Sequence, residues 1–226
     1  MIAVISGGMD SLTMLCELKG LGEPGKQIRN LEAVSFYYGQ RHQRELEFAE
    51  TQCKKLGMPW TLVDISKVGM LLSGSALTDD KVPVPHGHYE DESMKATVVS
   101  NRNSIMLNIA AGIARSRGHN AIATAVHAGD HAVYPDCRPE FIESLQQTLR
   151  IAMDIPHFEV HAPYVKISKT DIATIGGVIG VPYKMSWSCY EGGAYHCGKC
   201  GTCVERKEAF ADSLVTDPTV YEESCV

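Results

Sequence analysis

The chain opens with an apolar run that breaks at two glycines, Ile2-Ala3-Val4-Ile5-Ser6-Gly7-Gly8-Met9-Asp10-Ser11-Leu12. The apolar residues 2–5 predict a short buried strand, because a run of this length that ends at glycine is typical of one. Leu12, Leu15 and Leu18 follow at helical spacing and predict a helix directly after the turn. A strand, a glycine turn and a helix in this order are typical of the first unit of an α/β fold.

The same alternation continues along the chain. Further strands are predicted over residues 31–38, 60–65, 120–126 and 158–161, with helices over 46–56, 106–118, 141–152 and 172–179. Ser168 and Asp171 form a capping box that begins the last of these helices. This alternation predicts an α/β fold with a doubly wound, parallel five-stranded sheet covered on both faces. We expect residues 1–182 to form the α/β domain, and residues 183–226 to form a cysteine-rich segment and C-terminal helix packed on it.

One long segment, residues 73–95, is rich in small, charged and proline residues and shows no periodicity. A stretch of this length without regular structure inside a compact domain is usually functional. We therefore expect a lid or a binding loop here.

The composition of the 226 residues, 44% hydrophobic and 21% charged, is that of one ordinary globular domain. The net charge of −6 argues against stable nucleic-acid binding, which depends on clustered lysine and arginine, and favours a small-molecule substrate. No apolar run approaches about 20 residues, and the amino terminus has no basic region. We therefore expect a cytoplasmic protein without membrane association. A homodimer is expected for an α/β enzyme of this size.

The turn at residues 6–11 predicts an anion site. Backbone amides of a glycine turn and the unpaired amides of a helix start converge there, Gly7 and Gly8 permit close approach, and Asp10 could hold Mg²⁺. The lysine of a Walker A loop is absent. The plainer interpretation is a βα turn in which Asp10 or Ser11 only caps the helix.

A cysteine cluster predicts a metal site in the last quarter of the chain. Its spacing is C-x7-C-x2-C-x2-C, from Cys189, Cys197, Cys200 and Cys203. Four sulfurs suit one tetrahedral zinc ion per chain, and a site filled by four protein ligands is structural. Part of the spacing also occurs in iron–sulfur proteins, but no other feature indicates electron transfer. We interpret His196, beside Cys197, as a bystander.

The glycine turn matches SGGxDS, the signature of the PP-loop ATP pyrophosphatases, which adenylate a substrate oxygen with ATP. Four further segments resemble the 7-cyano-7-deazaguanine synthases, the QueC family of PP-loop enzymes. They are YGQRH at residues 38–42, NRN at 101–103, YPDCRPEF at 134–141, and WSCY at 187–190 with CGKCGTC at 197–203. The resemblance runs from Ser6 to Phe210 and implies an adenine nucleotide alpha hydrolase-like fold. It also implies a carbon–nitrogen ligase that converts 7-carboxy-7-deazaguanine, ammonia and ATP to 7-cyano-7-deazaguanine, preQ0, a precursor in queuosine biosynthesis.

The resemblance and the predicted positions together give a set of site residues. ATP is expected to bind at Ile5, Ser6, Gly7, Gly8, Met9, Asp10, Ser11 and Leu12. Catalytic roles are expected for Asp10, Ser11, Arg102 and Lys169, where Lys169 resembles a family lysine that would meet the leaving phosphate. Substrate contacts are expected from Gln40, Arg41, His42, Asn103, Asp130, Tyr134, Asp136 and Arg138.

Plainer interpretations exist for several of these positions. Arg41 and His42 could belong to a solvated helix start, Asn101 could be an ordinary helix cap, and residues 130–138 could form a proline-bounded surface turn. Lys169 could be solvated in a first helical turn. We interpret Cys137 as a packing residue.

Three other functions are compatible with parts of the sequence. A variant of the family could stop at the amide and serve DNA modification. A PP-loop tRNA thiolase would need a sulfur carrier and a basic RNA surface, which the acidic composition disfavours. A zinc-ribbon module that binds nucleic acid without turnover would leave the glycine turn without a role.

Overall fold

A computed structural model describes residues 1–23, 25–72, 74–79, 81–88 and 92–222. Its centre is a five-stranded sheet in the order β3-β2-β1-β4-β5, and every neighbouring pair is parallel. The strands are β1 (Ile2–Val4), β2 (Glu32–Tyr37), β3 (Trp60–Asp64), β4 (Ala121–Ala123) and β5 (Glu159–His161). The predicted α/β class, strand number and parallel direction are therefore confirmed.

The strands are shorter than the sequence predicts because the apolar runs continue past the ladder. Residues 120–126 were predicted as one strand, but pairing within β4 ends at Ala123. Thr124, Ala125 and Val126 lie beyond this edge of the sheet and line a cavity. The apolar run therefore predicts correctly that this segment packs inside the protein, but it does not show where strand pairing ends.

Seven helices within the described ranges connect or follow the strands. They are α1 (Met9–Leu18), α2 (Arg44–Lys55), the single turn α3 (Ser66–Gly69), α4 (Arg102–Ser116), α5 (Pro139–Met153), α6 (Lys169–Ile179) and α7 (Gly201–Ser213). The predicted capping box is present, since Ser168 Oγ accepts from Asp171 N at 3.1 Å and Ser168 N donates to Asp171 Oδ2 at 2.9 Å.

The helices cover both faces of the sheet. Ile2 packs with residues of α4 and α5 on one face, whereas Ala3 packs with residues of α1, α2 and α6 on the other. Alternate residues of a strand point to opposite faces, so β1 is buried on both sides, and Ile2 and Ala3 are fully buried. This is the doubly wound arrangement.

The carboxyl-terminal helix packs on the glycine-turn side of the molecule. Met9 and Leu12 of α1 share an apolar cluster with Ala209 and Phe210 of α7, and the Tyr183 and Phe210 rings meet edge to face at 5.0 Å. Trp187 N donates to Gly7 O at 3.0 Å. The segment after residue 182 is thus in direct contact with the first βα unit.

Part of the predicted lid segment is ordered against its surroundings. A 3-10 turn spans Glu92–Thr97, and Arg41 N donates to Leu77 O at 2.8 Å. Ser73, Asp80 and residues 89–91 lie outside the described residues. Whether this segment closes as a lid stays a prediction.

None of the helices in the described part of the chain has the length and apolar character needed to cross a membrane.

Candidate active site

A cavity of about 240 Å³ lies at the carboxyl edge of the sheet, beside β1 and β4. The connections from these two adjacent strands run in opposite directions, which is where open α/β sheets bind ligands. Most of the predicted site residues line it: Ile5, Ser6, Gly8, Asp10, Ser11, Gln40, Arg41, His42, Arg102, Asn103, Asp130, Tyr134 and Lys169. The sheet topology thus brings residues that are distant in sequence to one place.

The two glycines of the turn have different surroundings. Gly7 has φ +87°, and a Cβ there would lie 2.0 Å from the Glu45 carbonyl oxygen, so only glycine lets α2 approach this closely. Gly8 has an ordinary φ of −74° and faces the cavity. Gly8 is also the N-cap of α1 and receives no side-chain cap. The interpretation that Asp10 or Ser11 only caps this helix is therefore wrong.

The turn presents hydroxyl groups and a carboxylate to the cavity. Ser6 Oγ accepts from Gly8 N at 3.2 Å, and Ser11 Oγ donates to Gly8 O at 3.1 Å. Asp10 Oδ1 is buried without a hydrogen-bond partner among the described residues. A buried carboxylate oxygen normally has a hydrogen-bond donor. Without one, Asp10 Oδ1 is available to coordinate a hard cation such as Mg²⁺.

Charged side chains surround Asp10. Lys169 Nζ lies 3.5 Å from Asp10 Oδ2 and 2.5 Å from Glu205 Oε2, and His127 Nε2 lies 3.9 Å from Asp10 Oδ2. Burial alone would lower the pKa of Lys169, but the carboxylates of Asp10, Glu205 and Asp130 raise it above its usual range. Lys169 is therefore a fixed cation, and only 11% of its side chain is exposed. The interpretation of Lys169 as a solvated lysine is wrong.

The other end of the cavity combines a guanidinium with tyrosine rings. Arg102 donates to Tyr38 OH at 3.3 Å, and its Cζ lies 5.6 Å from the Tyr38 ring centre and 6.0 Å from that of Tyr134. Within the described ranges no carboxylate lies at ion-pair distance from Arg102. Burial raises the pKa of Tyr38 to about 12. A cation in aromatic surroundings, without a carboxylate partner, is suited to bind an anionic group of a planar ligand.

Two predicted residues from the second strand's edge line the cavity wall. Arg41 and His42 are half-buried and precede α2, which begins at Arg44. His42 Nδ1 is buried and has no hydrogen-bond partner within the described ranges. The interpretation of Arg41 and His42 as a solvated helix start is therefore wrong.

Five of the predicted site residues do not line the cavity. Met9 and Leu12 are buried in the apolar cluster beneath the turn, and Gly7 packs against α2. Asp136 accepts from Asn103 N at 2.9 Å and so caps the start of α4, while Arg138 donates to His131 O at 3.0 Å on the surface. Their predicted ATP and substrate contacts stay predictions.

The side chain of Asn101 does not cap the start of α4. Asn101 has φ +58° and gives no side-chain cap, so its interpretation as an ordinary helix cap is wrong. The cap comes instead from Asp136, whose carboxylate accepts from the backbone N–H of Asn103, 33 residues earlier. Cys137 is buried, its sulfur accepts from Asn103 Nδ2 at 3.1 Å, and burial raises the pKa of its thiol well above the usual range. An inert packing residue is what the sequence predicts at this position.

The four predicted metal ligands come together. The sulfurs of Cys189, Cys197, Cys200 and Cys203 lie within 4.8 Å of one another, and all four residues are buried. Tetrahedral zinc with Zn–S bonds of about 2.3 Å needs sulfurs about 3.8 Å apart, and the Cys197 and Cys203 sulfurs are 4.0 Å apart. His196 Nε2 instead accepts from Ser188 N at 3.1 Å, as expected of a bystander. The cluster fits a metal ion.

Several groups of the site were not predicted from the sequence. His127 lines the cavity just beyond β4. The rule that ligands bind at the carboxyl edge of the strands, which applies to Arg41 after β2, could have identified His127 as well. Glu45 lines it from the first turn of α2, accepts from Gln40 Nε2 at 3.1 Å, and has its pKa raised by burial. Glu205 reaches Lys169 from α7, and nothing in its local sequence indicates this.

The glycine turn at the switch point of a parallel sheet, facing a cavity with fixed cations, defines an α/β protein of the PP-loop class. A model of the family described as queuosine biosynthesis protein QueC matches residues 1–214. The chain belongs to this family.

Relatives along the full length support this membership. The chain is 49% identical over 223 residues to the 7-cyano-7-deazaguanine synthase of Allorhizobium ampelinum, covering 98% of this chain and 92% of that protein. It is 51% identical to the enzyme of that name from Rhizobium rhizogenes, with the same coverage. NMN synthetase from Francisella tularensis shares the fold, with a TM-score of 0.51 at 11% identity over 99% of this chain and 79% of that one. A chain this close to named synthases is an enzyme.

Proposed function

We propose that the protein is an ATP-dependent carbon–nitrogen ligase that converts 7-carboxy-7-deazaguanine and ammonia to 7-cyano-7-deazaguanine. The observation that carries the proposal is the single cavity shared by the glycine turn, Lys169 and Arg102. It contains a place for phosphates and a separate cation for a carboxylate, in a chain about half identical to named synthases.

ATP would lie with its phosphates at the glycine turn. The first backbone amides of α1, together with the hydroxyls of Ser6 and Ser11, supply donors at the start of a helix. Mg²⁺ held by Asp10 would neutralise phosphate charge when bound, which agrees with the unpartnered Oδ1. Lys169 would stabilise the charge that develops on the leaving pyrophosphate.

The substrate would occupy the tyrosine-lined end of the cavity. Arg102 has no carboxylate at ion-pair distance in the described part of the chain and would bind the substrate carboxylate. The rings of Tyr38 and Tyr134 give a planar heterocycle an apolar wall. Gln40, Arg41, His42, Asn103 and Asp130 supply further polar groups, and the carboxylate of Asp130 would accept from the guanine-like edge.

The reaction needs two activations of the same carbon. The substrate carboxylate attacks the α-phosphorus of ATP and pyrophosphate leaves. Ammonia then attacks the acyl adenylate, and AMP leaves with the transferred oxygen, giving the amide. The amide oxygen attacks the α-phosphorus of a second ATP and pyrophosphate leaves; loss of AMP and of the two amide protons then gives the nitrile. Both activations place negative charge on the same phosphate oxygens, so one set of donors serves both.

The cysteine cluster would hold zinc in a structural role. Four thiolates complete a tetrahedral coordination sphere and leave no position for substrate or water. The cluster lies where α7 begins, with Cys200 as the N-cap and Cys203 in the first turn. Binding of the ion would therefore stabilise the loop that places α7 against the active site.

The proposal is tested by incubating the protein with magnesium-ATP, ammonium and 7-carboxy-7-deazaguanine, then identifying bases and nucleotides by liquid chromatography and mass spectrometry. The nitrile together with AMP is expected, and the Asp10→Ala variant is the matched inactive control. Accumulation of the amide would instead mark a reaction that stops after one activation. Absence of substrate-dependent ATP consumption by the wild-type chain would contradict the proposal.

A further inference from the structure

Glu205 is a buried carboxylate whose role the proposed reaction does not explain. It lies in α7, two residues after the metal-cluster residue Cys203, and only 12% of its side chain is exposed. It is not among the residues that line the cavity. Its Oε2 lies 2.5 Å from Nζ of Lys169, which does line the cavity.

The position of Glu205 is defined from two sides. The metal cluster sets the start of α7, because Cys200 is the N-cap of that helix. On the opposite side, the turn after β4 leaves room for the carboxylate, since a Cβ at Gly129 would lie 3.0 Å from Glu205 Oε1. The flexible side chain of Lys169 is therefore held by a partner that is itself fixed in position.

The ion pair also determines what Asp10 can bind. Lys169 Nζ is 2.5 Å from Glu205 but 3.5 Å from Asp10 Oδ2, so its ammonium is closer to the carboxylate that does not belong to the glycine turn. Without Glu205, the buried ammonium would be drawn to the carboxylates that remain. The Lys169–Asp10 ion pair, 3.5 Å long with Glu205 present, would then close further, and both groups would be less available to the phosphates.

We propose that Glu205 is a positioning residue, which holds the Lys169 ammonium beside the glycine turn and keeps it from closing on Asp10 beyond the observed 3.5 Å. The inference rests on the proposed function, because the phosphate that Lys169 meets is that of ATP. The cysteine cluster, which sets the start of α7, would then help to position Lys169 in the active site in addition to stabilising the fold. Removing Glu205 therefore impairs the adenylation step more than the binding of ATP.

The test compares Glu205→Gln and Glu205→Asp with Glu208→Gln, a control on the same helix whose half-exposed carboxylate pairs with His88. We expect kcat of Glu205→Gln to fall about 10- to 100-fold, as for a misplaced catalytic group, with KM for ATP within about threefold of wild type. Glu205→Asp retains the negative charge, so we expect it to recover most of the kcat that Glu205→Gln loses. Glu208→Gln matches wild type, and metal content stays at one ion per chain in all variants.

A double-mutant cycle tests whether Glu205 acts through Lys169, and urea unfolding of the same variants shows whether loss of the ion pair only loosens α7 from α6. If Glu205 acts through Lys169, adding Glu205→Gln to Lys169→Met lowers kcat no further. The inference is overturned if Glu205→Gln has wild-type kcat, if its loss follows a loss of metal or folded protein, or if the two variants are additive. Should Glu205→Gln not fold, Glu205→Ala, which also removes the charge, replaces it in the same cycle. Wild type that consumes no ATP with substrate contradicts the proposed function instead, so the two failures are distinct.

Discussion

The two glycines of the turn allow a paired prediction, because their surroundings differ. Gly7→Ala requires a side chain at φ +87°, which costs about 1–2 kcal/mol. Its Cβ would lie 2.0 Å from the Glu45 carbonyl oxygen and 3.0 Å from Ala49 N, so α2 must retreat, and overpacking of this kind costs about 1–3 kcal/mol. We expect a destabilisation of about 2–5 kcal/mol, a fall in Tm of roughly 4–20 °C for a chain of this size.

We expect Gly8→Ala to leave stability nearly unchanged and to weaken the binding of ATP. Its φ suits alanine, and among the described residues the added Cβ would meet only Ser6 Oγ at 3.2 Å and Trp187 O at 3.7 Å, so the free energy of unfolding should change by less than about 1 kcal/mol. The methyl group would occupy the surface that phosphates approach. We therefore expect the Kd for magnesium-ATP to rise at least about tenfold, equivalent to about 1.4 kcal/mol.

The assay for both variants combines urea unfolding with calorimetric titration of magnesium-ATP. The reasoning is refuted if Gly8→Ala binds ATP like wild type while remaining folded, since the turn would then not approach the phosphates. It is equally refuted if Gly7→Ala is as stable as wild type, because the backbone contact with α2 would then not require glycine.

Four further predictions concern single side chains. Asp10→Ala should abolish ATP turnover with an unchanged Tm, and retained activity would remove Asp10 from the phosphate site. Cys200→Ser should lose bound metal and soluble protein together, measured by elemental analysis and circular dichroism; a metal-free, folded and active variant would contradict the structural role. Arg102→Gln should lower kcat/KM for the carboxylate substrate about 100-fold, as expected for a lost charge-assisted contact, whereas Arg115→Gln on the exposed side of the same helix should not. Cys137→Ala should retain activity within a few-fold, and its complete inactivation would favour sulfur chemistry.

The fold could be predicted because its information is local and periodic. Apolar runs of about five residues alternate with helical spacing, and each run corresponds to a strand in the sheet. The strand order could not be read in this way, because it depends on which helix covers which face. The ends of the strands also stayed uncertain, as the continuation of the β4 run into the cavity wall shows.

The candidate site was predictable where a residue follows a strand directly. The glycine turn after β1 and Arg41 after β2 lie at the carboxyl edge by topology alone, and the four cysteines were identifiable from their spacing. Contacts between distant segments were not accessible. The sequence does not indicate that the Asp136 carboxylate caps α4, or that Glu205 of α7 pairs with Lys169.

The central claim is that one site transfers substrate oxygen to AMP in both steps, and tracing the oxygen tests it most directly. The substrate is 7-carboxy-7-deazaguanine carrying ¹⁸O in both carboxyl oxygens, and the nucleotide products are analysed by mass spectrometry. The account predicts two AMP molecules for each nitrile formed, each with one ¹⁸O in its phosphate. Unlabelled AMP, or label recovered in inorganic phosphate together with ADP, would contradict it.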